Sequence, residues 1–114
     1  MMNTERHPLL LLPPSRNLTV KMVDGGFVIH EIPEWLAGYI GGTSAELQGK
    51  AVDKFLEPVL PGIVELIERT HDATAMNGFR VALKDKRGQI HQLLLDSAVR
   101  TGPGNEELTS ILLQ

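Results

Sequence analysis

VDGGFVIHEIPEWLAGYIGGTSAELQGK, residues Val23–Lys50, is the stretch that decides how this chain reads. Asp24-Gly25-Gly26 has the composition of a tight hairpin turn, with the Gly25 and Gly26 pair expected to supply the positive φ that such turns need. A strand from Phe27 to Ile32 follows. Pro33 suits the first position of a helix, where a missing N–H costs nothing, and that helix carries Trp35, Leu36 and Tyr39. Thr43 and Glu46 have the spacing of a capping box, and Gly49 stands where the second short helix stops. A hairpin that runs straight into short helices is an uncommon order of elements.

Upstream, Leu18, Val20 and Met22 alternate with Thr19 and Lys21, which predicts a strand with one buried and one wet face, paired with Phe27–Ile32 across the turn. Downstream, Asp53–Leu56 predicts a helical turn that ends before Pro58. Pro61 can open the longest helix, to about Ala75, with Leu60, Ile63, Val64 and Ile67 on one apolar stripe and Leu66 beside it. Asn77-Gly78 punctuates. Phe79, Val81 and Leu83 then alternate with Arg80, Ala82 and Lys84, and Asp85–Gly88 makes a turn. Gln89–Arg100 reads as a long strand whose Leu93-Leu94-Leu95 suggests burial on both faces, and Leu108–Gln114 reads as the last strand. Five antiparallel strands with helices on one face make an α+β layer domain.

The totals narrow the function without naming it. At 114 residues the chain is one domain, long enough for a core without metal or disulfide staples. Absence of cysteine fits a reducing, cytoplasmic setting and excludes thiol catalysis, Fe–S clusters, Cys-ligated zinc and photochemistry through a cysteine adduct. A net charge of −3 leaves no basic footprint, so no nucleic acid is expected. Leu9–Leu12, bounded by Pro8 and Pro13-Pro14, is too short for a membrane span or a signal segment. Residues 1–16 read as a lead-in whose leucines either cap the core of their own domain or form a dimer contact.

Three segments in this order carry a family resemblance: Asp24–Ile29, then Trp35-Leu36-Ala37-Gly38-Tyr39, then Ser44–Lys50 with its Glu46-Leu47-Gln48-Gly49-Lys50. Together with the charged Lys86-Arg87-Gly88 turn they resemble a PAS domain, the sensory-box module of bacterial signalling proteins, over residues 17–114. The chain departs from the pattern at Ile32-Pro33, where the family often has an asparagine, and at Gly38-Tyr39-Ile40, which is followed by Gly41-Gly42. The resemblance implies an α+β fold with a five-stranded antiparallel sheet in the order 2-1-5-4-3, helices packed on one face and a pocket between sheet and long helix. It also implies a sensor or signal-transduction input domain, a homodimer, and an effector domain of the parent protein that lies outside this chain.

The pocket lining expected from this reading is Leu36, Tyr39, Phe55, Ile63, Ile67, His71, Val81, Leu83 and Leu93, residues that also serve as an ordinary core. His71, four residues after Ile67, is placed to lean towards the pocket, and haem-binding relatives take their proximal ligand from this helix. An exposed helix end accounts for it equally well, since a protonated imidazole there complements the helix dipole. His7, His30 and His91 read as lead-in or solvent-facing residues, and Trp35 with Tyr39 could stack on a ring or pack on the sheet. The sequence leaves the cofactor open, with haem on His71 and non-covalent flavin both disfavoured. A small-molecule ligand and a ligand-free interaction module remain alternatives. No enzyme is expected; the remote version would pair Tyr39 with a buried Asp96.

Overall fold

The computed structural model describes residues 17–85 and 87–113. Its elements are β1 (Asn17–Val23), β2 (Gly26–Glu31), α1 (Glu34–Ile40), α2 (Ser44–Leu47), α3 (Val52–Phe55), α4 (Ile63–Ala73), β3 (Ala75–Lys84), β4 (Ile90–Thr101) and β5 (Glu107–Leu113). The strands form one antiparallel sheet in the order β2-β1-β5-β4-β3. The lead-in expected over residues 1–16 lies outside the described residues. No helix among the described residues is long and apolar enough to cross a membrane.

The first hairpin closes as the sequence demands, with one shift of position. Val23 pairs with Gly26, and the two residues between them, Asp24 at φ 50° and Gly25 at φ 81°, take the left-handed conformation. That is the pattern of a type I′ turn, so Asp24 and Gly25 carry the positive φ and Gly26 begins β2. Pro33 is likewise one position earlier than expected. It caps α1 in extended conformation, and its carbonyl accepts from Leu36 and Ala37 N–H. The Thr43–Glu46 capping box is complete.

The segment after α2 performs a second task. Gly49 N–H donates to Ile29 O at 2.7 Å and Ile29 N–H donates to Lys50 O at 2.9 Å, so residues 49–50 hydrogen-bond to the outer edge of β2. An open edge is a template for unwanted pairing, and this one is covered. At the opposite edge Lys84 N–H donates to Val59 O at 2.9 Å, which ties β3 to the loop between α3 and α4.

Helix α4 starts at Ile63 rather than Pro61 because its N-cap, Gly62, takes the left-handed conformation at φ 102°, and the helix start is capped from a distance. The Glu57 carboxylate accepts from Gly62 N–H at 2.8 Å and from Val64 N–H at 3.0 Å, which satisfies donors that a helix start leaves free. Its buried face is Ile63, Leu66, Ile67 and Thr70, with Val64 only half-buried. These side chains meet Leu18, Val20, Leu95, Ile111 and Leu113 from the sheet and Leu36, Val52, Leu56 and Leu60 from the other helices and loops in one core. Each such aliphatic side chain contributes about 1.5–3 kcal/mol of transfer free energy when fully buried.

Two expectations for the last third are corrected. Asn77-Gly78 does not separate α4 from β3; it forms a bulge inside β3, between Met76 and Phe79, with Gly78 N–H held by the Asp96 carboxylate at 2.8 Å. And Leu93-Leu94-Leu95 is not buried on both faces. Leu95 is in the core, while Leu94 is 45% exposed on the side of the sheet away from the helices.

Candidate functional site

Alternation along the strands divides the sheet into an inner and an outer face. The inner face carries Leu18, Val20, Val81, Leu83, Leu95, Ile111 and Leu113, and the helices lie over it. Here the expected pocket residues separate into two groups. Leu36, Ile63 and Ile67 are fully buried, Val81 and Leu83 nearly so, and Leu93 packs against them half-buried. They occur together as the core, filling the layer between sheet and α4 with their own side chains. Tyr39 stands at the margin, packed against the core with Trp35 edge-on to its ring, the centroids 6.3 Å apart.

Phe55 and His71 are not part of that layer. Phe55 is 38% exposed and faces a different cleft. His71 is exposed at the end of α4, with Nδ1 3.2 Å from the Glu107 carboxylate of β5. An imidazole held there by a carboxylate does not fit as an axial haem ligand within the core. Among the described residues no group of three or more His, Cys, Asp or Glu is placed to hold a metal ion. Asp96 lies on the outer face, paired in register with Leu112, and Tyr39 lies on the helix side, so the sheet separates the two residues that the enzyme alternative would join.

One polar contact sits inside the core, and the sequence offered no sign of it. Thr70 is fully buried, donates to Leu66 O at 2.6 Å and lies 2.6 Å from the buried Ser97 hydroxyl. Since the single Thr70 proton goes to Leu66 O, Ser97 is the donor of the second bond. A directed chain therefore runs from β4 to the backbone of α4. Two residues further along β4 and four along the helix, Val99 N–H donates to Thr74 O at 2.9 Å, which fixes the end of the helix to the same strand. Buried polar groups that are fully paired fix one arrangement of a core.

The outer face is less polar than an exposed sheet face needs to be. Leu112 is 41% exposed and pairs with Asp96; Leu94, two residues along β4 on the same face, is its diagonal neighbour. Ile90, 60% exposed, continues the row, and Ala82 and Ala98 lie on this face too. Arg80, Gln92 and Arg100 surround them.

The β3–β4 turn is built around Asp85. Its carboxylate accepts from Arg87 N–H at 2.9 Å and Gln89 N–H at 2.8 Å, and His91 Nε2 lies 3.3 Å away. Partial desolvation pushes the Asp85 carboxyl upwards, but the hydrogen bonds from Gln89, His91 and Arg87 outweigh it and hold it below its ordinary value of 3.8. Glu34 is also held low, by hydrogen bonds from the Ser44 side chain and then its backbone.

No family model matches the sequence, and no curated protein is similar to it at a significant level. Solved structures are similar to it. One is a cysteine-to-serine mutant of Vivid, with a TM-score of 0.60 and 14% identity over 98% of this chain and 91% of that chain. A second is the photo-excited blue-light photoreceptor Vivid, with a TM-score of 0.60 and 12% identity over 98% of this chain and 87% of that one. A cysteine-to-valine variant of the same fungal photoreceptor matches at 0.60 and 13% identity, over 98% and 86%. The fold is PAS-like. At these identities the PAS-like likeness is one of fold, and it lends no support to a bacterial rather than a fungal origin.

Proposed function

We propose that this chain is a PAS-type signalling input domain that acts as a homodimer and passes a change in its core to an effector segment of the parent protein. The observation that carries the reading is the exposed Leu94–Leu112 pair on a sheet whose other face is already covered. Contiguous exposed apolar surface marks a partner surface, and a sheet face is self-complementary about a two-fold axis. Light scattering during size exclusion tests this. The chain is expected to run at twice its own mass, and Leu94→Glu, which places two like charges near the axis, is expected to return it to the monomer. A wild-type chain that is monomeric at tens of micromolar would remove the homodimer from the reading.

A second reading, a ligand-free interaction module, is favoured by one specific observation: Leu36, Ile63, Ile67 and Leu95 occupy the layer where the resemblance implies a pocket. Native mass spectrometry separates the two. A mass excess lost on denaturation supports a sensor with its own ligand, and a bare dimer supports the interaction module.

A further inference from the structure

We infer that the cleft between α1, α2 and α3 binds a small aromatic acid. The inference concerns a site apart from both the core layer and the outer sheet face, so it goes beyond the dimer reading and can fail independently of it. The cleft has a volume of about 440 Å³ and is lined by Ile40, Gly41, Gly42, Glu46, Leu47, Lys50 and Phe55. That volume lies within the range of roughly 300–1,000 Å³ usual for small-molecule sites.

The sequence keeps this cleft open. Helix α1 ends on Gly41 in the left-handed conformation, φ 106°, and a Cβ on Gly41 would meet nothing within 4 Å. Gly42 follows, and a Cβ there would come within 3.3 Å of the Glu46 carboxylate and 3.6 Å of Leu47. Two bare backbone positions thus form one wall, with half-buried Ile40 and buried Leu47 beside them. Phe55, the last residue of α3, stays exposed, while Val52 at the start of that helix and Leu56 just after it are fully buried.

The charges in the cleft are unequal in availability. Glu46 keeps its negative charge but is oriented by the capping box, where its Oε1 accepts from Thr43 N–H at 2.9 Å and lies 3.2 Å from the Thr43 hydroxyl. Lys50 has its ammonium 5.9 Å from the centre of the Phe55 ring, and it makes no ion pair among the described residues. The cleft therefore presents one available cation beside an aromatic ring and an aliphatic floor. A ligand complementary to this has a flat apolar body, to lie against Phe55, Ile40 and Leu47, and an acid group, to pair with Lys50. A strongly hydrated polyanion would leave the apolar wall unused and would meet the Glu46 carboxylate as well as Lys50, so a single acid group on the Phe55 side is the better match.

The probe is naphthoate, with neutral naphthamide as its isostere, titrated into the isotopically labelled dimer or monomer, whichever the protein forms, and followed by amide NMR. Shifts are expected to cluster at Gly41, Gly42, Leu47, Lys50 and Phe55, with naphthoate binding at least five-fold more tightly than naphthamide. Lys50→Gln should abolish that preference, Lys50→Arg should keep it, and Phe55→Ala should weaken both compounds alike. Lys50 and Phe55 are exposed, so these variants are expected to fold, and unchanged resonances for Leu95 and Ile111 verify it. Shifts that map to the outer sheet face, or a preference for the acid that survives in Lys50→Gln, would overturn the assignment. The dimer mass is read separately and is expected to be the same with and without naphthoate.

Discussion

Replacing Thr70 by valine keeps the shape of the side chain and deletes the hydroxyl that joins α4 to β4. Leu66 O loses one of two donors, because it still accepts the helical bond from Thr70 N–H. Ser97 loses its acceptor altogether, and it lies only 5% exposed. A buried polar group left unpaired costs about 1–3 kcal/mol. Ser97→Ala is milder, since Thr70 retains its bond to Leu66 O, and about 0.5–1.5 kcal/mol is expected for one lost hydrogen bond. The double variant removes donor and acceptor together and leaves nothing orphaned, so its cost should fall below the sum of the two by about 1 kcal/mol or more. Urea unfolding at neutral pH reads all four corners of this cycle. With a slope of about 1–3 kcal/mol per molar urea, Thr70→Val should lower the midpoint by roughly 1 M. Strictly additive costs would refute the reasoning, because they would mean that the two hydroxyls do not depend on each other.

Thr74 ends α4 at φ 71°, a conformation that a β-branched residue adopts at a cost. Thr74→Gly keeps the carbonyl that Val99 uses and is expected to stabilise the fold by about 0.5–1 kcal/mol, read as a higher melting temperature. Glu57→Ala removes the carboxylate cap of α4 and should cost about 0.5–2 kcal/mol, with faster amide exchange at Gly62 and Val64 as the local signature. Asp85 makes the β3–β4 turn sensitive to acid. Its carboxyl is depressed in the fold, so its contribution is fully present above the ordinary carboxylate value of 3.8 and is lost as pH falls through the lower folded value. The amides of Arg87 and Gln89 should lose protection in that window, and Asp85→Asn should flatten the response.

Local signals were legible in the sequence, and signals that depend on partners far along the chain were not. The Asp24-Gly25 turn, the Thr43–Glu46 box and the period-two strands are each written in a few neighbouring residues, and the sheet order followed from the resemblance that those segments carry. Glu57 capping α4 leaves no local mark, since a glutamate before a proline has no helix-start pattern. Asn77-Gly78 has the composition of a hairpin turn, and only the strand opposite makes it a bulge. The placement of His71 turns on the phase of one helix. A stripe of Ile63, Val64 and Ile67 leads on to His71, whereas the observed stripe uses Leu66 in place of Val64. At roughly 100° per residue, Thr70 then falls between Leu66 and Ile67 in the middle of the buried face, and His71 stands about 100° further round. A single choice between two aliphatic residues thus moved the histidine out of the core and a threonine into it.

That exchange bears on how the proposed domain would carry a signal. The first half of α4 carries the Glu57 cap and meets the sheet only through close-packed apolar side chains, with no hydrogen bond to a strand side chain among the described residues. Its second half is tied to the sheet directly. Thr70 bonds Ser97, and Thr74 accepts from Val99. Both strand residues belong to β4, whose outward-facing Leu94 sits two positions from Asp96 in the proposed dimer surface. A displacement of α4 must therefore either break a buried hydrogen bond or move β4 with it. Breaking the bond costs about as much as an orphaned hydroxyl, 1–3 kcal/mol, which is the size of coupling energy that signalling domains use. The same two hydroxyls that hold the core in one arrangement are thus what would transmit a change of arrangement to the opposite face of the sheet.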